Sequence, residues 1–270
     1  MAMIVQHNLR AMNSNRMLGV NSATQSKSTE KLSSGYKINR AADDAAGLSI
    51  SEKMRRQIRG LTQASANAQD GISCVQTAEG ALNEVHDMLQ RMNELAVKAA
   101  NGTLQSEDVG YIQAEYNQLA EEIDRTSNDT KFNKMGLLDG SNTSVKLQVG
   151  ADENQTITLN LSKMAAGNDG LKVSGLTISA AGTINAIDAA IQKVSSFRSD
   201  LGAVQNRLEH TINNLDNVVE NTTAAEAQIR DTDMAKEMVK FSNNNILTQA
   251  GTAMLAQANQ ANQGVLSLLQ

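Results

Sequence analysis

The sequence contains no proline and no tryptophan, and its 270 residues include only three tyrosines and three phenylalanines. So few aromatic side chains exclude the usual way of filling a wide globular core. Because no proline is present to break a hydrogen-bond ladder, helices are free to run without interruption. With 40% hydrophobic residues, most of them aliphatic, the composition predicts long helices packed in a thin, elongated bundle.

Cysteine, histidine and long hydrophobic runs are also scarce. The single cysteine, Cys74, cannot form an internal disulfide, and its small apolar neighbours predict a buried thiol. The three histidines, His7, His86 and His210, match no zinc-binding spacing. No run of about 18 apolar residues occurs and the N-terminus has no hydrophobic signal segment, so we expect no membrane insertion and no cleaved signal peptide.

Charge is distributed unevenly along the chain. The formal net charge is −5, which does not favour a nucleic-acid-binding protein. Residues 1–40 nevertheless hold six basic side chains against one acidic side chain, Glu30. Because these cations are spread out, we interpret them as the solvated face of a helix and expect no nucleic-acid binding.

Two long stretches carry apolar or small residues at steps of three or four, the spacing of a coiled-coil seam. The first runs from Ile58 to Ala96 and the second from Ile184 to Val219. Both span about 55 Å at 1.5 Å per residue, so we predict that they pack together as a bundle. Asn101-Gly102 favours the end of the first helix, and a third helix is expected near residues 106–128.

Between the seams the pattern changes to strict alternation. Apolar residues alternate with polar ones on both sides of a turn at 150–154, which predicts a β-hairpin near 145–161 with one covered face. The alternating apolar residues are Val145, Leu147, Val149, Ile157, Leu159 and Leu161. Residues 167–182 read as loop and weak strand.

The two chain ends are amphipathic and incomplete. The last 30 residues, 241–270, contain no charged side chain, and Leu247, Met254 and Ala258 recur at helical spacing. Ordering a lone helix costs about 1 to 2 kcal/mol of backbone entropy per residue, and one exposed stripe buries little to offset it. We therefore expect each end to be disordered until it meets the other end and further copies.

Several motifs resemble the signatures of bacterial flagellin. Near the N-terminus the sequence reads KLSSG and then INRAADDAAGLSI, and near the C-terminus it reads QAGTAMLAQAN and then VLSLL. The segment after the second core helix, FN followed by GLLDG, is similar as well. These motifs lie at 31–35, 38–50, 249–259, 265–269, 132–133 and 136–140. The resemblance covers roughly 1–140 and 184–270.

The resemblance implies a structural subunit that polymerises into the flagellar filament for motility, with no enzymatic activity, metal or cofactor. It implies a terminal helical domain, built from 1–44 and 228–270, that forms the inner tube of the filament. Residues 45–227 would form a mainly α bundle or coiled-coil domain with the hairpin insert. Only about 40 residues separate the two signature regions, so the chain would be a short form without the variable outer domains.

The resemblance also implies partners for the C-terminal segment. The subunit would be secreted through the flagellar type III pathway, bind an export chaperone, and meet the filament cap and the hook-filament junction proteins. Polymerisation and chaperone contacts are expected at Leu247, Met254, Leu255, Val265, Leu266 and Leu269.

A further contact is implied with a host protein. By spacing alone, Arg91 and Glu94 form an ordinary helical pair worth a few tenths of a kcal/mol. The resemblance places vertebrate Toll-like receptor 5 on this face, where an arginine beside a carboxylate and an apolar residue suits a binding hot spot. The expected receptor contacts are Gln90, Arg91, Leu95, Ile112 and Glu115.

Two other functions remain open at this point. A hook-filament junction protein has similar ends, although the VLSLL ending favours the filament subunit. A helical enzyme is the other alternative, but no site converges: Asp43 and Asp44 point about 100° apart on a helix and favour a helix start. Asp231 and Asp233 have basic neighbours, which favours a solvated salt-bridge face.

Overall fold

A computed structural model describes residues 8–178 and 182–267 of the chain. The described part is mainly helical, with two small antiparallel ladders between the third and fourth helices, which confirms the predicted fold class. The helices are α1 (Leu9–Ser34), α2 (Ala45–Ala99), α3 (Ser106–Asp129), α4 (Thr183–Arg230) and α5 (Met234–Ser267). The strands are β1 (Lys131–Phe132), β2 (Met135–Gly136), β3 (Ser144–Gln148) and β4 (Thr156–Asn160).

The chain divides into two compact units. The terminal unit comprises Met1–Arg56 with Asn221–Gln270, and the central unit comprises Gln57–Glu220. The domain boundaries expected from the sequence, after residues 44 and 227, lie near helix ends. The division between the units instead falls inside α2 and α4, because each of these helices runs on through it.

In the core of the central unit, the two seams predicted from the sequence pack together on α2 and α4, and α3 packs against both. Leu82, Leu89 and Met92 of α2 are fully buried, in one cluster with residues of α3 and α4. The partners from α3 and α4 include Tyr116, Ile123, Ile187, Val194 and Leu201. Cys74 lies in the same cluster, and burial raises the pKa of its thiol, which confirms the expected buried cysteine.

The β3–β4 hairpin lies against α2 because two glycines leave room for it. Gly71 contacts Leu147 so closely that a Cβ atom there would collide with its Cδ1. Gly60 is similarly close to Ala151 at the hairpin turn. Asn67, between the two glycines, donates from Nδ2 to the Gln148 carbonyl at 3.0 Å.

Residues 161–178 form an irregular segment, here called the strap. Side chains of α3 form hydrogen bonds with its backbone. The Tyr116 hydroxyl donates to the Val173 carbonyl at 2.9 Å, and Asp124 accepts from the Ala166 amide at 2.7 Å. Gln113 accepts from the Ile178 amide at 2.7 Å. Burial raises the pKa of Tyr116 to about 12. The strap is part of the core rather than the weak strand that the sequence suggested.

The helices of the terminal unit pair with each other in antiparallel order. Asn8 donates from Nδ2 to the Ala258 carbonyl at 3.1 Å, and Leu18 packs close to Gly251. At the other end of the pair, Tyr36 forms an antiparallel bridge with Asp231. The facing residues on α1 and α5 recur alternately at three and four positions, so the pair has a coiled-coil seam. Each end thus meets the other end within one chain.

Candidate functional site

Large hydrophobic side chains are exposed almost entirely on the terminal unit. Among the described residues, 12 of the 14 exposed large hydrophobics belong to it, and two belong to the central unit. Those on the two terminal helices are Leu9, Met12, Met17, Val20, Met234, Met238, Val239, Ile246, Leu247 and Met254. So much exposed apolar surface on one unit marks an interaction site.

On α5 this surface lies outside the seam with α1. The residues of the seam recur through Phe241, Asn244, Thr248, Gly251, Leu255 and Ala258. At about 100° per residue, Val239 and Ile246 fall on the opposite side of the helix, whereas Leu247 and Met254 flank the seam and are exposed. Helix α5 therefore has one face occupied within the chain and a second apolar face that is open to solvent.

The expected polymerisation residues fall on both faces. Leu247 is 50% exposed and Met254 is 62% exposed, so both lie on the open face. Leu255 and Ala258 lie on the seam with α1, so the expected residues are divided between the seam and the exposed surface beside it. The sequence could not separate the two surfaces because residues 241–267 of α5 carry no charged side chain. The side chains of Val265 and Leu266, and all of Leu269, lie outside the described residues.

The adjacent aspartates serve the backbone at the starts of helices. Asp44 accepts from the Gly47 amide at 2.9 Å and caps α2, while Asp43 accepts from the Asn39 and Arg40 amides. The Arg40 amide lowers the pKa of Asp43 most. Asp233 caps α5 through the Lys236 amide at 3.1 Å and also pairs with the Lys236 ammonium. Asp43 and Asp44 therefore lie at the expected helix start, and Asp233 forms the expected ion pair.

Within residues 8–178 and 182–267, no group of three His, Cys, Asp or Glu side chains is arranged to hold a metal ion. Over the same residues, no helix combines the length and the hydropathy that crossing a bilayer requires.

The expected receptor face contains an exposed ion-pair network. Arg91 donates from Nε to Glu115 of α3 at 2.9 Å and from Nη1 to Glu94 at 2.9 Å. The hydrogen bond that Arg91 donates to Glu115 contributes most to the raised pKa of Arg91. Spacing along α2 predicted the pair with Glu94, but the pair with Glu115 depends on how α2 and α3 pack. Gln90, next to Arg91, bonds His86.

Two expected receptor residues lie in the core instead. Leu95 is 2% exposed and Ile112 is 7% exposed, so the surface of this face consists of Gln90, Arg91 and Glu115. Sequence reasoning missed Tyr111, which is 75% exposed and one turn from Glu115 on the same face of α3. The sequence offered a clue to Tyr111, because the whole chain has only six aromatic residues and this one lies between polar residues of a helix.

The fold and the open apolar faces together define a class: helical structural proteins that associate with further copies. Comparisons with known proteins are consistent with that class. The bacterial flagellin N-terminal helical region matches residues 5–143, and the bacterial flagellin C-terminal helical region matches residues 184–269.

Relatives of similar length match the whole chain. The flagellin of Halalkalibacterium halodurans is 56% identical over 272 residues, covering 99% of this chain and 100% of that protein. The flagellin of Bacillus subtilis is 49% identical over 304 residues, with 99% and 100% covered. The crystal structure of Bacillus cereus flagellin is 32% identical with a TM-score of 0.50, covering 56% of this chain and 88% of that one.

The chain therefore belongs to the bacterial flagellin family. It is a short form, because only 40 residues separate the two matched regions. Flagellins are structural subunits of the flagellar filament, which confirms the assignment made from the sequence motifs.

Proposed function

We propose that this chain polymerises into a bacterial flagellar filament that serves motility, and that the open apolar faces of α1 and α5 make the contacts between copies. The observation that carries this proposal is the concentration of exposed large hydrophobics on the terminal unit. Burying apolar surface contributes about 25 cal/mol per Å², so covering these faces supplies free energy that the isolated subunit lacks. Contacts that do not close on themselves generate an open helical assembly.

Seeded growth tests this proposal. Purified subunit is mixed with short filament seeds of the same protein, and we expect long filaments by electron microscopy together with loss of monomer from the supernatant. A junction protein would add a few copies and then stop, so long growth also separates the two functions. Monomer that stays soluble beside seeds at high protein and salt concentration would contradict the proposal.

The same faces suit the partners that a subunit meets before assembly. We infer that an export chaperone covers the open face of α5, including Leu247 and Met254, and so prevents early association. The filament cap and the hook-filament junction proteins would then contact the same unit at the two ends of the filament. Passage through the flagellar type III pathway belongs to this proposal.

We also propose that the chain is a ligand of vertebrate Toll-like receptor 5 through Gln90, Arg91 and Glu115. The supporting observation is the exposed guanidinium of Arg91, which two carboxylates hold in a fixed orientation. A preoriented arginine loses less side-chain entropy on binding than a free one. Leu95 and Ile112 support this face from below rather than forming its surface.

Arg91→Ala is expected to weaken receptor binding about 30-fold, because a central arginine at an interface contributes about 2 kcal/mol. Binding of the purified receptor ectodomain would be measured by surface plasmon resonance. Arg125→Ala is the matched control, since Arg125 is an exposed arginine of α3 that also pairs with two carboxylates. Equal affinities for Arg91→Ala and the wild type would refute the contact.

A further inference from the structure

The loop between α2 and α3 contains the pair Asn101-Gly102, the only Asn-Gly pair in the sequence. Helix α2 ends at Ala99 and α3 begins at Ser106, so the pair belongs to neither helix. Both residues are exposed. Because glycine has no Cβ atom, its backbone nitrogen can approach the preceding side chain with little steric hindrance. The pair is therefore a place where the backbone can react with an asparagine amide.

The turn leaves the Gly102 amide without a partner. The Asn101 amide donates to the Lys98 carbonyl at 3.2 Å, and the Leu104 amide donates to the Asn101 carbonyl at 3.4 Å. Gly102 lies between these two bonds, and its own amide donates to no acceptor in the described part of the chain. An exposed N–H group without a partner is open to proton removal by hydroxide.

The space beside the pair is open as well. A Cβ atom added to Gly102 would meet no other atom within 4 Å, and the φ angle of this glycine is not positive. The Asn101 side chain makes no hydrogen bond to any residue that the structure describes. It is therefore free to rotate toward the Gly102 nitrogen, and a small ring formed there would collide with nothing.

Three other glycines follow an aspartate, which can cyclise by the same route, at positions 71, 140 and 170. The amide at 71 lies in the hydrogen-bond ladder of α2, and the Gly170 amide donates to the Gly167 carbonyl at 2.9 Å. Hydrogen bonds from Ser141 lower the pKa of Asp139, so its carboxylate stays ionised and is a poor target for attack. The fold thus restrains these three pairs and leaves Asn101-Gly102 free.

We propose that Asn101 is a site of spontaneous deamidation. The deprotonated Gly102 nitrogen attacks Asn101 Cγ and closes a five-membered succinimide, and the side-chain nitrogen leaves as ammonia after taking a proton from water. Water then adds to one of the two ring carbonyls and opens the ring. One opening gives aspartate, and the other gives isoaspartate, in which the main chain runs through the side-chain carbon. The net reaction consumes one water and releases one ammonia.

Both products weaken the connection between α2 and α3. The new carboxylate lies just beyond the C-terminal end of α2, where the partial charge of the helix is already negative. Isoaspartate also lengthens the backbone inside the turn that the Leu104 amide closes on the Asn101 carbonyl. Leu104 packs against the core of the central unit. Deamidation therefore loosens the residue that anchors this loop to the core.

Peptide mapping of the purified chain tests the site. After incubation in mildly alkaline buffer, the peptide containing Asn101 should gain about 1 Da, because a hydroxyl group replaces an amino group. The same peptide should become a substrate for a purified protein-isoaspartate methyltransferase. The rate should rise severalfold when the pH is raised by one unit, because the deprotonated amide is the attacking group. Faster deamidation of another asparagine, or no isoaspartate in this peptide, would overturn the proposal.

Gly102→Ala is the decisive variant. Its added Cβ atom has open space and an ordinary φ angle, so the fold is retained, yet deamidation should slow at least ~10-fold because the nitrogen is more hindered. Gly80→Ala is the matched control, since Gly80 lies on α2 and also has open space around it. It should deamidate at the wild-type rate. Equal rates for Gly102→Ala and the wild type would refute the cyclisation.

The contribution of the fold is measured by repeating the incubation in urea. Asn101 should react at nearly the same rate in the folded and unfolded chains, whereas isoaspartate at Asp169 should form only after unfolding. Strong protection of Asn101 in the folded chain would contradict the free Gly102 amide. The isoaspartate form, separated by ion exchange through its added charge, should exchange amide hydrogens at 100–104 faster than the wild type. Unchanged exchange there would overturn the loosening of the loop.

Discussion

Replacing Leu247 and Met254 together by aspartate is expected to stop growth on filament seeds. Both side chains lie on the open face of α5, where a neighbouring copy would bury them. A carboxylate placed in an apolar contact without a partner costs several kcal/mol, so the elongation rate should fall by at least ~100-fold. Growth would be followed by light scattering and checked by electron microscopy.

The control adds one carboxylate away from this face. Asn168 is exposed in the strap of the central unit, and Asn168→Asp should elongate like the wild type. Circular dichroism should show equal helix content in both variants, because neither change touches the buried core. Normal growth by the double variant would show that the open face of α5 is not a contact between copies.

Leu82→Ala is expected to have the largest effect on the stability of the subunit. Leu82 is fully buried in the cluster shared by α2, α3 and α4. Truncating a buried leucine removes its transfer free energy and leaves a cavity, at a cost of about 2 to 5 kcal/mol. The free energy of unfolding would be measured by urea denaturation of the free subunit, monitored by circular dichroism.

Val97→Ala on the same helix is the control for this change. Val97 is 56% exposed, so its truncation should change the free energy of unfolding by less than about 0.5 kcal/mol. A cost below about 1 kcal/mol for Leu82→Ala would mean that the site collapses around the smaller side chain. It would also contradict the close-packed core described for α2, α3 and α4.

The central bundle could be predicted from the sequence because its periodicity is long and regular. A seam sustained from Ile58 to Ala96 leaves no doubt about which helix face is buried, and a second seam of equal length supplies the partner. The hairpin was predicted for the same reason, since alternation over several residues identifies both the strand and its covered face. Observed strands at 144–148 and 156–160 agree with it.

Other features depend on packing that no local pattern records. The short β1–β2 ladder needs Asn133 and Lys134 at positive φ, and only the first of these residues favours that conformation. Leu95 and Arg91 are four positions apart, yet α3 covers one and pairs with the other. Whether a residue at the margin of a seam is core or surface depends on where the neighbouring helix lies.

The side of α5 that meets α1 could not be predicted, and the cause is compositional. Residues 241–267 of α5 carry no charged side chain that would mark a solvent-facing side, so Leu255 and Met254 were equally plausible members of one stripe. The structure separates them by placing Leu255 against α1 and Met254 on the open side. Charged residues of α1 did not identify the partner face of α5 either, because the residues of α1 on the seam are uncharged.

The polar seam between α1 and α5 also makes the terminal pair reversible. When the helices separate, the polar seam residues Asn21, Gln25 and Thr248 become hydrated. The separated helices therefore expose little additional apolar surface. Pairing of α1 with α5 within one chain does not itself depend on protein concentration, so under the proposed function the additional apolar burial comes from neighbouring copies. A flagellin with leucine at these seam positions would bury more apolar surface within one chain and depend less on its neighbours.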